Sequence, residues 1–451
     1  MSYAKTIYAL ASGIGVSGIQ VFRISGPQAG AVLKVLTGNP LPSPRVATYT
    51  KFVQPDTRAD LDQGLILWFP APASYTGEDV AEIHAHGGRA VRESFLHAFS
   101  KVFGISGVSG LRQAEPGEFT RRAFENGKLD LTEVEGLADL IEAETDAQRR
   151  QALRQMRGAL GRLYESWRED LIKSLAHVEA VIDFADEELP EELNVKANDR
   201  IRRVLNEIQD HLADGHRGER LRDGVSLAII GPPNAGKSSF LNHLAQRDVA
   251  IVSSKPGTTR DIIEVHLDLA GYPVVVADTA GLREGKSNLE SEGIRRALER
   301  ADHADLKVYL FDQEVWPPDE EDLKRVLDDQ TIVVVNKIDL GNGSGPTEIL
   351  GHKVYPISVR TGEGVDALLS ALETSVSEQL EVSGSPVLTR QRHRSALEEC
   401  QVFLESSLAV EEPEFRAEDL RLGVRAMARI TGRVDVEDLL DVIFNEFCIG
   451  K

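Results

Sequence analysis

Residues Gly231–Ser238 read GPPNAGKS and follow the apolar run LAII, Leu227–Ile230. The stretch fits G-x-x-x-x-G-K-[ST] after a strand, the phosphate-cradling loop of nucleotide-binding α/β domains. Glycines let the backbone pass close to phosphate oxygens with its N–H groups turned toward them. In that frame Lys237 reaches the β- and γ-phosphates and Ser238 binds Mg2+. Asn234, Ala235, Gly236 and Ser239 complete the cradle. A Gly-rich strand-to-helix turn also arises without a ligand, so the reading depends on its surroundings.

Those surroundings supply the base and the metal. NKID, Asn336–Asp339, follows the strand-like run TIVVV. Asp339 can accept the paired N–H groups of guanine's edge, which adenine cannot match. Asn336 can brace the loop, and the stem of Lys337 can cover the base. Alone, NKID is also an ordinary polar turn. DTAG, Asp278–Gly281, ends another strand-like run. There Asp278 can hold Mg2+ through water and the Gly281 N–H can sense the γ-phosphate, with Thr279 and Ala280 between them. GTTRD offers Thr258 and Thr259 to a switch loop, Thr259 joining Ser238 on the metal. SVRTGEG, from Ser358, reads as the last guanine loop through Ser358, Val359 and Arg360. Val359 stands where alanine is usual, a mild change because that contact comes from backbone. Ras-like enzymes orient the attacking water with a glutamine after DTAG. Here the residue is Leu282, which cannot do so; Glu284, Glu290 and Glu292 follow.

Around this core the texture of the chain changes three times. At 451 residues it predicts about three domains. Residues 1–118 mix strand-like runs (GIQVFRISG, LDQGLILWF) with a helical one (AVRESFLHAFSKVF), an α+β pattern. Residues 119–215 carry apolar residues at three and four spacings, an α-helical domain broken at DFADEELPEELN. Residues 216–381 alternate buried strands and helices, a Ras-like α/β P-loop domain with a parallel sheet. EVSGSP reads as a linker, and residues 382–451 are helical again. The α/β domain is therefore inserted into a helical one, which requires its two ends to lie close together.

The net charge of −21 excludes a broad basic surface for nucleic acid, though not a local patch or a basic partner. No run of about 18 apolar residues predicts a membrane span, and the N-terminal residues show no signal-peptide pattern. Two cysteines, Cys400 and Cys448, predict a reducing cytoplasm with no disulfide framework.

Several segments outside the nucleotide loops carry a wider resemblance: GIQVFRISG, YTGEDVAEIHAHGG, PGEFTRRAFENGKLDLTEVEGLADLI, DFADEE and the final FCIGK. Over essentially its full length the chain resembles the MnmE (TrmE) family of tRNA modification GTPases. The resemblance implies an N-terminal domain that binds a tetrahydrofolate derivative (5-formyl- or methylene-tetrahydrofolate) and forms a homodimer. It implies a flavin protein partner, MnmG (GidA), in a heterotetramer or larger complex, with FAD held by that partner only. Together they would place a 5-carboxymethylaminomethyl or 5-aminomethyl-type group on the wobble uridine of certain tRNAs.

The implied residues are specific. Asn234, Ser253, Lys255 and Thr258 fall on the family's K+ site, with Lys255 in place of the usual apolar residue. Glu290 falls on the water-positioning glutamate. Arg23, Glu82, Lys128 and Lys451 fall on folate positions, and Cys448 on a thiol facing the one-carbon unit or uracil. His84 and His86 share a strand face, but the family uses no metal there. The alternatives are a regulatory GTP switch in ribosome assembly, like Era and EngA, and a folate-dependent methyltransferase acting alone. Val436, Leu439, Leu440, Ile443 and Phe444 share a helix face, which predicts a docked C-terminus. Cys400, in ALEECQVFL, reads as a small buried apolar residue.

Overall fold

Alternating apolar residues in the first 118 positions build a sheet with one oily face. The computed structural model describes residues 5–102, 104–105, 108–183, 191–247, 249–251, 265–276, 304–315, 323–324, 327–341, 347–381, 386–434, 437–445, 447 and 449–451. By contacts the chain forms two compact units. One holds residues 1–138, 155–168 and 425–451; the other holds residues 139–154 and 169–424.

In the first unit the strands are β1 (Ile7–Leu10), β2 (Ser17–Ser25), β3 (Thr48–Val53), β4 (Asp60–Phe69), β5 (Val80–Gly87) and β6 (Arg112–Gln113). They form a sheet of order β3-β4-β5-β2-β1-β6, antiparallel except for β1 with β6. Helices α1 (Ala29–Thr37) and α2 (Arg89–Val102) cover one face. Phe22, Ile24, Phe52, Ile66 and Ile83 from the sheet meet Leu33, Leu36, Phe95 and Phe99 from the helices, all buried. The period of two sends Arg23, Glu82, His84 and His86 to the opposite face. There Phe119, on α3 (Glu118–Glu125), packs with Ile7, Ala9 and Tyr75.

The long helices match the expected amphipathic runs: α4 (Leu131–Glu142), α5 (Asp146–Met156), α6 (Ala159–Asp183) and α7 (Glu191–Leu212). Residues 184–190 of the expected acidic break, and residues 382–385 of the expected linker, lie outside the described residues. Past the short α8 (Arg217–Asp223) comes the second sheet: β7 (Val225–Ile230), β8 (Ala250–Ile251), β9 (Val265–Leu269), β10 (Tyr272–Val276), β11 (Leu306–Asp312), β12 (Thr331–Asn336), β13 (Glu348–Ile349) and β14 (His352–Pro356). Its order is β13-β14-β12-β11-β7-β10-β9-β8.

β10, β7, β11, β12 and β14 run parallel, as expected. β8, β9 and β13 are antiparallel to their neighbours, which corrects the expectation of a parallel sheet. The reason at β9 is local. Ala270 and Gly271, at φ 54° and 87°, make a two-residue turn that can only close a hairpin. Helices α9 (Lys237–Ala245) and α10 (Val365–Leu380) add Phe240, Leu241, Leu368 and Leu372 to the core of this sheet.

Helices α11 (Gln391–Ala409), α12 (Pro413–Thr431) and α13 (Glu437–Asn445) complete the chain. The two chain segments that enter and leave the inserted sheet are tied together. The Arg394 guanidinium donates to the Leu212 carbonyl at 2.9 Å and to Asp214 at 2.8 Å, and lies 3.1 Å from Glu219. A Cβ on Gly218 would meet the Leu388 carbonyl oxygen at 2.1 Å, so the two backbones touch there.

The C-terminus is docked, as the spacing predicts. Leu440, Ile443, Phe444 and Phe447 are buried against Leu131 and Val134. Val436 lies outside the described residues, and of Leu439 only the helical backbone is described. Ile449 bridges Pro116, and the Phe119 N–H donates to the Lys451 carbonyl at 3.2 Å. Among the described residues no helix is long and apolar enough to cross a membrane.

Candidate functional site

The nucleotide loops meet at the carboxyl ends of β7, β12 and β14, where open α/β sheets place their ligands. Two glycines shape the first loop. A Cβ on Gly231, at φ 141°, would lie 2.0 Å from the Leu310 carbonyl oxygen, and one on Gly236, at φ 99°, would lie 2.3 Å from Asn336 Nδ2. Asn234 adopts a positive φ of 63° between them. The loop opens into α9 with Gly236 as its N-cap and Lys237, Ser238 and Ser239 in the first turn, so the helix N-terminus faces the cradle.

Lys237 Nζ donates to the carbonyls of Gly231 and Pro232, both at 2.8 Å. Burial pushes this ammonium down from its usual pKa. A phosphate would replace two neutral acceptors with a charged one, which strengthens the contact. Ser238, one residue further on, carries a hydroxyl of the kind that a hard cation can bind.

Asn336 joins the loops. Its Nδ2 donates to the Ala235 carbonyl at 2.9 Å, and its Oδ1 accepts from the Val359 N–H at 3.1 Å. Asn336 is therefore a brace between the phosphate loop and the last guanine loop. Lys337 sits at φ 65°, with Nζ 2.5 Å from Asp312 Oδ2. Asp339 accepts from Ser358 Oγ at 2.7 Å and pairs with Arg360 at 2.6 Å. The Ser358 hydroxyl, against a cost of burial and helped by the Arg360 and Lys337 charges, holds the Asp339 carboxyl below its usual range. The structure thus gathers Asn234, Ala235, Gly236, Lys237, Ser238, Ser239, Asn336, Lys337, Asp339, Ser358, Val359 and Arg360. Asp312 was not singled out in sequence, although it ends the run LKVYLFD. It stands opposite Asn336 in the β11–β12 register.

Ser253, Lys255, Thr258, Thr259, Asp278, Thr279, Ala280, Gly281, Leu282, Glu290 and Cys448 lie outside the described residues.

A second polar cluster occupies the N-terminal sheet. Arg23 and Glu82 are cross-strand partners, joined at 3.0 Å and each one-fifth exposed. The Arg23 guanidinium also lies over the Tyr75 and Phe119 rings, at 5.4 and 5.8 Å. Burial, opposed by the Thr120 hydroxyl and Arg23, pushes the Tyr75 hydroxyl up in pKa. Phe119 connects this cluster to the tail through the Lys451 carbonyl. Lys128 lies against the loop that follows Tyr75, where a Cβ on Gly77 would meet its Cε at 3.3 Å. Tyr75 and Phe119 belong to no strand; only the packing of the loop before β5 and of α3 on the sheet brings them to Arg23, which their own segments do not reveal.

The paired histidines have separate carboxylates. His84 Nε2 lies 3.6 Å from Glu82, and His86 Nδ1 lies 2.8 Å from Asp62. Cys400 is fully buried, and burial, then the Glu399 charge, pushes its thiol up to about 12. That environment makes it inert.

Comparison with known proteins agrees over the whole chain. The family model of the MnmE helical domain matches residues 131–448, and that of the GTP-binding protein TrmE N-terminus matches residues 6–128. The chain is 52% identical to the tRNA modification GTPase MnmE of Paramagnetospirillum magneticum, covering 99% of this chain and 100% of that one. It is 55% identical to the protein of that name from Parvibaculum lavamentivorans, with the same coverage. Among solved structures, the G domain of the T. maritima FeoB iron transporter is 26% identical, covering 35% of this chain and 99% of that one at a TM-score of 0.25.

Proposed function

This chain belongs to the MnmE family, and from that premise we propose that it hydrolyses GTP within a tRNA-modifying complex. The observation that carries this reading is the joining of the phosphate loop to the guanine loop by Asn336, beside Asp339, which Ser358 and Arg360 hold. In this reading residues 1–118 bind folate and dimerise. Residues 119–215 and 382–451 form the helical domain, and residues 216–381 form the GTPase domain.

Ser238 and Thr259 hold Mg2+. Asn234, Ser253, Lys255 and Thr258 hold K+, which offsets charge developing between the phosphates as an arginine finger does elsewhere. Glu290 positions the attacking water in place of the glutamine that Leu282 replaces. The folate derivative sits by Arg23, Glu82, Lys128 and Lys451. A carboxylate suits the amino and N–H edge of a pterin, and the cations suit its carboxylates. A flavin partner of the MnmG type supplies the redox step. The product is a C5-modified wobble uridine, with Cys448 as the candidate thiol, in the cytoplasm.

The direct test is removal of the protein from its host followed by mass spectrometry of tRNA nucleosides. Loss of the C5-substituted wobble uridine is expected. An unchanged nucleoside profile refutes the modification role.

A further inference from the structure

Asp339 is the group on which guanine recognition depends, yet both of its oxygens already have partners. Oδ1 accepts from Ser358 Oγ at 2.7 Å, and Oδ2 lies 2.6 Å from Arg360 Nη2. The two partners differ in kind. Ser358 is fully buried and its backbone is tied into the loop, through Glu363 at 2.9 Å and Gly362 at 2.8 Å. It is a fixed brace. Arg360 has a side chain 73% exposed. It holds Asp339 from the solvent side, and among the described residues no other side chain pairs with it.

Guanine presents two donors on one edge, N1–H and N2–H. They fit a carboxylate that offers both oxygens side by side, and the oxygen taken by Arg360 is one of the two. We propose that Arg360 is a specificity-determining residue that competes with guanine for Asp339, so that the base enters only as the guanidinium leaves. The proposal rests on the reading of Asn336–Asp339 as the guanine loop. A base with an acceptor at N1, as adenine has, has nothing to exchange for the Arg360 contact and is turned away by the closed pair. Lys337 does not share this role. Its ammonium is held by Asp312 Oδ2 at 2.5 Å, while the other Asp312 oxygen accepts from the Glu314 N–H at 3.1 Å.

The size of the effect follows from exposure. An ion pair open to water is weak and screened by salt. Arg360 therefore sets a modest, salt-sensitive threshold. A residue that merely packed on the bound base would act in the opposite sense, because its loss would weaken binding.

The experiment measures GDP affinity of the full chain by titration calorimetry for the parent, Arg360→Ala and Asp339→Asn. In about 50 mM salt Arg360→Ala is expected to bind GDP about two- to fivefold more tightly than the parent. That ratio should approach one in about 1 M salt, where the screening length is about 3 Å. Asp339→Asn should lose most GDP affinity at either salt. Equal or weaker GDP binding by Arg360→Ala in low salt overturns the competition. GDP affinity retained by Asp339→Asn overturns the guanine reading beneath it.

Discussion

The nucleotide loops and the N-terminal polar cluster solve the same problem, holding charged groups ready for a ligand, by opposite routes. Within each loop the chemistry is contiguous. Gly231 to Ser238 form one turn, in which a Cβ on Gly231 would collide with the Leu310 carbonyl and one on Gly236 with the Asn336 side chain. In the N-terminal cluster Arg23, Tyr75, Glu82, Phe119 and Lys451 come from five separate segments. A contiguous site fails as a unit, whereas an assembled one loses its contacts one at a time.

The largest effect should come from Gly231→Ala. Its Cβ would press on the Leu310 carbonyl oxygen, a backbone atom that cannot swing aside, at a φ that L residues resist. We expect about 3 kcal/mol of lost stability and about a hundredfold weaker GDP binding, read by thermal unfolding and calorimetry. Unchanged affinity would show that the loop is not the cradle, and the contrast would collapse.

Glu82→Gln sharpens the other side. It keeps the shape of the side chain but removes the charge facing Arg23. Affinity for a 5-formyltetrahydrofolate probe should fall about tenfold, the size of one charge-assisted contact, and not vanish. Complete loss on equilibrium dialysis would mean that the cluster behaves as a unit after all.

The smallest effect belongs to another assembled feature, the half-buried His211 at the helix junction. Burial first, then the nearby His393 and Arg394 charges, lower its pKa to about 4, against an opposing pull from Asp214. The fold keeps the ring neutral while the unfolded chain protonates below about 6.5. Its contribution is therefore complete above that pH and is lost as pH falls toward 4. About 1 kcal/mol should disappear between pH 6.5 and 5.5, measured by denaturant unfolding, and His211→Leu should flatten that slope. An equal slope in the variant would assign the acid sensitivity to other groups.

The same contrast explains what could be read in the chain alone. The P-loop, NKID and the amphipathic helices obey local rules, namely glycine at fixed spacing, carboxylate after strand, and apolar residues at three and four. Each was legible. The pairing of Arg23 with Glu82 depends on the β2–β5 register, and that of Lys337 with Asp312 on β11 lying beside β12. Neither pairing is encoded in any one segment. The β9–β10 hairpin was legible in principle, since Ala270–Gly271 is its whole turn, but buried runs on both sides look alike in parallel and antiparallel sheets. For the tail, spacing predicted that a face is buried without naming Leu131 and Val134 as what it meets.

The contact of Gly218 with Leu388, beside the Arg394 tie, has a consequence for modularity. Entry and exit of the inserted sheet lie at one point, so the insert is a closed bight whose neck is a single pair of touching backbones. To α7 and α11 it is a gap no wider than a short turn, while α5 also reaches the insert, its Ala147 N–H donating to the Gly271 carbonyl at 3.1 Å. Such a neck lets a domain of another size, or none, be spliced in its place without moving α7 away from α11.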